Sequence, residues 1–589
     1  MRKIKMGIRN RLLLSTLFVL LTLCSSGQTR DQIRGWNILS DYREDDIVTI
    51  NAAKSYNINH LQLSHDLVMD LQEIRDPERQ KLVNELITLA HKSGIKEVVA
   101  WDHALYNLKY YPDKFKTGPE GTIDLDNPDF REWFKNDYRS MLALIPDIDG
   151  LVLTFIETGA RAENQHSVKL KTGSEKLAAI VDAVADVVCE EMGKKLYIRT
   201  FAYTDAEYQN TIGCIQHIKN QDIILMMKET PHDFFLTHPN DKYAGTINRP
   251  TIMEFDCGNE FNGQGVIANT WPAYIIRRWS DLIKRPNVIG YVARTDRYRD
   301  TRIVGTPNEI LLYTLKKFTE DQSVTADQVY NEFISAKYGK KVVRFLKPAF
   351  KLSYDIVSSS LYSLGTNLAN HSKMDFDPYK SSYGRHVSGK WIDPPVVKVY
   401  HDVNREFHYW TDVIEHISPA RFKSPSEALR IEAPEVLANG WVTAEEKMDE
   451  EYLKYIIAEK KFGVKKAEKA LNYVTKAKKS MDVNQYNQVF NLFQRTLITS
   501  RMYEAVATAY FGYRIYARGE EYRTEWLITT TRDALDRMLI LASEVDNYRE
   551  KVPRGQWNWR DDAATAREYH KKITKTGWKE YGNVVFKID

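Results

Sequence analysis

Cysteine is scarce in this 589-residue chain: there are 4, namely Cys24, Cys189, Cys214 and Cys257. If the leading segment is removed, an odd set of three remains, so disulfides do not define the fold. An excess of one charge is missing too. The 83 basic residues nearly balance 79 acidic ones, leaving +4, and no basic stripe carries interleaved aromatics. That excludes nucleic acid as the expected partner. Long apolar runs are absent except from Leu12 to Leu23, inside "MRKIKMGIRNRLLLSTLFVLLTLCSSGQ". This run is too short and wrongly flanked for a stable membrane span, and it reads as a secretory signal over residues 1–27. Cleavage after Gly27, behind Ser25, would make the protein secreted or periplasmic. Lipidation of Cys24 is the alternative, although Leu23 is bulkier than the residue usual before such a cysteine. No His-x-x-x-His or carboxylate-histidine cluster has ligand spacing, so neither a metal nor a cofactor is expected.

What is present is length enough for at least two cores and an aromatic content of 12%, which suits stacking on sugar rings. From Arg34 onward, apolar runs alternate with helical periodicity: "RGWNILS", "INHLQLSH", "IKEVVAWDH", "DGLVLTFIET", "KKLYIRTFAY", "DIILMMKETPHD", "PTIMEFDCGNE" and "NVIGYVARTDR". Eight nearly continuous apolar strands, most followed by a helical stretch, predict an α/β TIM (β/α)8 barrel over residues 30–320. The connection "FFLTHPNDKYAGTINR" reads as loop rather than helix. Residues 321–589 read as a mainly α-helical C-terminal domain, offering a face for a homodimer. Within it, "DFDPYKSSYGRHVSGKWIDPPVV" is too long for an economical connection, and "KKFGVKKAEKALNYVTKAKK" reads as a solvated helix face.

Barrel chemistry gathers at the C-terminal ends of the strands. Glu157 ends the fourth strand, Asp233 follows the sixth and Glu260 the seventh. Arg199, Lys228 and Arg294 occupy matching positions on the fifth, sixth and eighth. His103 and Asp102 end the third strand and His65 the second; Asn262 and Gln264 accompany Glu260. Paired carboxylates are what glycoside cleavage requires, one to protonate the leaving oxygen and one to activate water or attack the sugar. Glu254 and Asp256, inside the seventh strand, read instead as structural partners of nearby cations. Two other readings stay open: a retaining exo-glycosidase for neutral or acetamido sugars, and a non-catalytic glycan-binding protein.

From about Thr122 to Trp279 the chain resembles the α-glucuronidases of glycoside hydrolase family 67. The stretch "IDLDNPDFREWFKNDYRSMLALIPDIDGLVLTFIETGAR" ends on the position of the family's catalytic acid, Glu157. "IRTFAY" places Arg199, "KETPHDF" places Lys228 and Asp233, and "MEFDCGNEFNGQG" places Glu260. The resemblance implies an inverting enzyme that removes an α-linked uronic acid from an oligo- or polysaccharide. It assigns Glu157 as general acid and Asp233 with Glu260 as the water-activating pair. Arg199 and Lys228 are implied to hold the substrate carboxylate. From their own places at the mouth, Arg294, His103, Asp102, Gln264 and Asn262 are expected as further substrate contacts. Two departures stand out: no β-rich domain precedes the barrel, and Leu153 occupies the place of a lysine four residues before the acid. Arg161, in "TGARAENQ", is positioned to restore that charge. The apolar neighbours Val152, Leu153, Phe155 and Ile156 suggest a low-dielectric setting favouring protonated Glu157.

Overall fold

In the computed structural model, residues 32–363, 448–552, 562–577 and 584–588 are described, apart from 203–204, 231–232 and 237–238. Between 364 and 447 only 366–367, 372, 386–387 and 390–391 are described. The leading segment with Cys24, and most of 375–397, therefore lie outside the described residues.

Eight strands form one closed barrel in chain order: β1 (Ile33–Ile38), β2 (His60–Leu63), β3 (Glu97–His103), β4 (Gly150–Thr154), β5 (Lys195–Arg199), β6 (Ile224–Lys228), β7 (Thr251–Phe255) and β8 (Val288–Arg294). Every adjacent pair is parallel, and β8 closes on β1 with Gly290 opposite Ile33 and Arg294 opposite Asn37. These runs are almost wholly apolar because both faces are buried. Val99, Trp101, Val152, Tyr197, Ile224, Met226, Ile252 and Val292 form a cluster of their own inside the barrel. The alternate residues, among them Leu61, Val98, Leu151, Leu153, Ile198, Met227 and Met253, join a larger cluster with the surrounding helices. Two interior glycines admit neighbouring backbone: a Cβ on Gly150 would lie 2.3 Å from the Lys195 carbonyl oxygen, and one on Gly290 2.1 Å from that of Ile33.

Local chemistry explains where the helices start. Asp76 caps Pro77–Lys92 by accepting from Arg79 N, Asn127 caps Pro128–Leu142, and Thr172 with Glu175 forms a reciprocal capping box on Gly173–Ala185. Helices Asp205–Cys214, Pro272–Leu282 and Ile310–Glu320 continue the ring. Between β6 and β7 no helix forms among the described residues, as the sequence suggests. Arg249 and Asn287 tether that loop by donating to the carbonyls of Asn220 and Ile247.

The helical pattern of 325–361 breaks into Ala326–Tyr338, Val343–Lys351 and Ser353–Ser360. Gly339, at φ 96°, ends the first of these, a conformation glycine adopts without strain. Helices Glu450–Ala477, Val483–Arg518, Glu525–Lys551 and Asp562–Lys571 follow. The charge-rich helix 450–477 is not solvated throughout: Lys460 is fully buried, donating to the Ser359 carbonyl and pairing with Glu459. The 36-residue helix Val483–Arg518 supports the barrel mouth. Its Thr496 Oγ1 accepts from Ala268 N at 2.9 Å, and Arg495 Nη1 donates to the Val266 carbonyl at 3.0 Å. Among the described residues no helix is long and apolar enough to cross a membrane.

Candidate active site

Stepping two residues along each strand from the interior cluster reaches the mouth, because alternate side chains share a face. This step delivers Arg199, Lys228, Glu254 and Arg294 from β5 to β8. It delivers His103 and Thr154 from β3 and β4, and the partner of Arg294 on β1 is Asn37. One half of the rim is charged and the other half neutral.

On the charged half, three arginines and two glutamates link into one chain, beside a separate lysine–aspartate pair. Arg199 Nε donates to Glu254 Oε2 at 2.7 Å, and Arg294 Nε to Glu254 Oε1 at 2.8 Å. Arg294 Nη1 then reaches Glu260 Oε2 at 2.6 Å, and Arg297 Nε reaches Glu260 Oε1 at 2.7 Å. Lys228 Nζ donates to Asp233 Oδ1 at 2.6 Å. Burial alone would raise the Glu254 carboxyl, but Arg199, Arg294 and Lys228 outweigh it and hold the group at about 2. Asp256 receives the Glu260 N–H on Oδ2 at 2.6 Å and is pushed up to about 7 by burial, only partly offset by Arg294. Burial lowers Lys228, with Asp233 opposing. Arg199 also lies 4.8 Å from the Trp101 ring, and Lys228 Nζ 3.5 Å from that of Phe201.

Glu157 is built differently. It is exposed, lies three residues beyond β4 with φ 65°, and β4 stands opposite β8 in the closed order. Phe155 and Ile156 are buried behind it, but the carboxylate is not enclosed by them, so the apolar setting inferred from its neighbours is not formed. Leu153 faces the outer helices, so its identity has no direct bearing on a ligand at the mouth. Arg161 does not restore a cation there either, being engaged by Glu163 and Glu207 at 3.0 and 2.6 Å.

Three expected substrate contacts are placed otherwise. Asp102 faces outward: Oδ1 accepts from Leu71 N at 2.9 Å and Tyr106 OH at 2.8 Å, while Oδ2 accepts from Tyr138 OH at 2.5 Å. Asn262 is a clamp, accepting from Tyr362 OH at 2.6 Å and donating to the Phe234 carbonyl at 3.1 Å. Gln264 lies buried in the turn, its N–H donating to the Asn259 carbonyl at 2.7 Å. That turn needs left-handed backbone at Asn259, Gly263, Gln264 and Gly265, and Ser372 fastens it by donating to the Glu260 carbonyl and accepting from Gly263 N. Arg297 was not singled out from sequence. It lies three residues beyond β8, where strand alternation no longer predicts direction.

Arg199 and Lys228 reach the mouth as expected, but both are held by protein carboxylates. His65 and His103 flank Trp101, with ring centroids 5.0 and 6.4 Å from it. Burial lowers both imidazoles, and Arg297 and Arg294 depress His65 further, so each is neutral near pH 7.

Asp46, at the start of helix Arg43–Ala53, is fully buried, and neither oxygen has a hydrogen-bond partner among the described residues. Burial, then the charges of Asp296 and Asp45, push it up to about 9. A raised folded value means that its stabilising balance is complete below about 4 and is lost as pH rises toward 9. Asp46→Asn is therefore expected to raise Tm at pH 8 by more than about 2 °C and to change it little at pH 4. Thermal scans of both proteins at the two pH values check this; a gain that is equal at both would contradict it.

No protein-family model matches the sequence, and no curated protein matches it significantly. Solved structures do resemble it. A family 138 glycoside hydrolase targeting pectin rhamnogalacturonan II aligns over 94% of this chain and 69% of its own, with a TM-score of 0.56 at 10% identity. A family 115 4-O-methyl-α-glucuronidase with specificity for decorated arabinogalactans covers 90% and 61%, with a TM-score of 0.47 at 9% identity. A mutant O-GlcNAc hydrolase of Thermobaculum terrenum covers 92% and 94%, with a TM-score of 0.42 at 9% identity. The family 138 enzyme thus shares this fold.

Proposed function

We propose that the protein is an exported glycoside hydrolase that removes an α-linked uronic acid from a glycan with inversion at the anomeric carbon. The observation that carries the reading is the arrangement of carboxylates at one barrel mouth. Exposed Glu157 follows β4, two and three strands round the ring from the strands that precede Asp233 and Glu260, which are embedded among cations. In this assignment Glu157 gives its proton to the departing glycosidic oxygen, while a carboxylate opposite takes a proton from the attacking water. Both Glu260 oxygens bind arginines, and Asp233 Oδ1 accepts from Lys228. Either carboxylate can take the proton of the water while the other orients it, and Glu260 also orients Arg294 and Arg297. The likeness to the pectin-targeting hydrolase supports the fold on which this chemistry is placed.

Charge supports an anionic substrate. Four cations, Arg199, Lys228, Arg294 and Arg297, meet three paired carboxylates, Glu254, Asp233 and Glu260. A substrate carboxylate would be drawn to this cationic side of the mouth. Arg297 is the best placed to receive it, its side chain being 12% exposed against 2% for Arg199 and Arg294 and 4% for Lys228. A charge-assisted contact contributes about 1.5 to 3 kcal/mol, so Arg297→Gln is expected to cut kcat/KM on a uronide by about 10- to 150-fold. The matched neutral glycoside should lose much less, and equal losses would remove the carboxylate assignment. Hydrolysis of paired aryl uronides and neutral glycosides, with the first-formed anomer identified by NMR, tests the activity itself. Retention would assign one opposing carboxylate as nucleophile instead of base, and no turnover on any glycan would favour a binding protein.

A further inference from the structure

The neutral half of the rim carries polar atoms that the protein itself does not satisfy. His103 Nε2, Thr154 Oγ1 and Asn37 Nδ2 are buried and have no hydrogen-bond partner among the described residues. All three belong to the layer that delivers Arg199, Lys228, Glu254 and Arg294 on the other side, and His103 pairs directly with Thr154 across β3 and β4. Buried polar groups are nearly always hydrogen-bonded, so three such atoms in one layer need a common explanation.

Their chemistry is complementary to hydroxyl groups. His103 Nδ1 donates to the Met69 carbonyl at 2.6 Å, which leaves Nε2 of the neutral ring as an acceptor. Asn37 Oδ1 is occupied by the Ser64 hydroxyl at 2.8 Å, which directs its Nδ2 donors elsewhere. Because the Ser64 hydroxyl gives its proton to Asn37, its oxygen accepts from His65 Nδ1 at 3.0 Å, and the His65 tautomer is set in the same way. Thr154 Oγ1 can donate and accept. One acceptor, one amide donor and one hydroxyl, all without charge, match the ring hydroxyls of a sugar, each of which both gives and takes a hydrogen bond. They do not match a carboxylate, which would find no donor on His103.

We propose that Asn37, His103 and Thr154 form a hydroxyl-reading face for the sugar residue whose anionic group meets the charged half. This rests on the reading of the mouth as a sugar site and assigns the orientation of the ring within it. The carboxylate lies toward β8 and the ring hydroxyls toward β1, β3 and β4.

Direct binding separates this assignment from catalysis. The full-length protein, labelled with ¹⁵N-histidine, is titrated with glucuronate, galacturonate, glucose and galactose, and affinities are measured for wild type, Thr154→Val and His103→Gln. The expected result is that at least one uronate binds and shifts the His103 Nε2 resonance in the direction of an acceptor that has gained a hydrogen bond. Thr154→Val should bind that sugar at least fivefold more weakly, with Tm unchanged or raised, because its hydroxyl has no protein partner to lose. A ligand that stays as tight in both variants overturns the proposal, as does an unmoved His103 resonance, a Tm lowered by Thr154→Val, or a panel in which no sugar binds. If glycoside turnover persists in any of those cases, only the hydroxyl assignment fails and the hydrolase reading stands.

Discussion

Glu157→Gln is expected to reduce cleavage of a natural oligosaccharide by about 10² to 10⁴-fold, the usual contribution of a general acid. A glycoside whose leaving group is already stable as an anion, such as a nitrophenolate, should keep much of its rate, since it departs without a proton. The competing structural role is an ion pair with a neighbouring cation; Arg161 already pairs with Glu163 and Glu207, and Arg199 with Glu254. Exposure points the same way: a side chain outside the packed rim can be changed without opening a cavity. Parallel kinetics on the two substrates, with Tm measured alongside, decide the matter. Equal losses on both substrates accompanied by a falling Tm would make Glu157 structural.

A different kind of damage is expected from Glu254→Gln. Glu254 is fully buried between Arg199 and Arg294, and removing one member of a buried charge set leaves the others uncompensated, at a cost of about 3 to 5 kcal/mol. Tm should fall by several degrees, and Arg199→Met added to Glu254→Gln should recover part of the loss by removing the cation whose carboxylate partner was Glu254. The pH dependence has a definite sign. Held at about 2 in the folded state, below the ordinary value of 4.5, Glu254 contributes stability above about pH 4.5 that is lost as pH falls through about 2. The variant's deficit should therefore be full at pH 7 and shrink toward pH 2. A change in Tm below about 2 °C at pH 7 would show that the guanidinium groups need no counter-charge there.

The barrel was legible from sequence because parallel strands buried on both faces appear as unbroken apolar runs, as in "IILMM" and "GLVLT". The charged half of the mouth was legible for the same reason, since Arg199, Lys228 and Arg294 end such runs and their direction follows from alternation. Where alternation gives out, so did the reading. Asp102 and His103 are consecutive and were grouped together, yet adjacent strand residues face opposite sides, and Asp102 went to the outer layer beside Tyr106 and Tyr138. Asn262 read as a sugar contact because amides suit hydroxyls; its real partners, Tyr362 and the Phe234 carbonyl, come from segments 100 and 28 residues away. Asn37 and Thr154 escape a reading of the sequence because a single polar residue at or next to the end of an apolar strand carries no local signal. Only the barrel brings them into one layer.

The closing of β1 on β8 also orders events during synthesis. Leu39 and Asp296, hydrogen-bonded beyond the end of that ladder, are 257 residues apart. At about 5 to 20 residues per second, the first strand leaves the ribosome roughly 13 to 50 s before its second neighbour exists. For that interval one side of β1 has unpaired amides beside Trp36 and Ile38, and the nascent chain resembles an open sheet with an adhesive edge. Slowing translation upstream of Val288 would lengthen the exposure without changing any contact of the finished barrel.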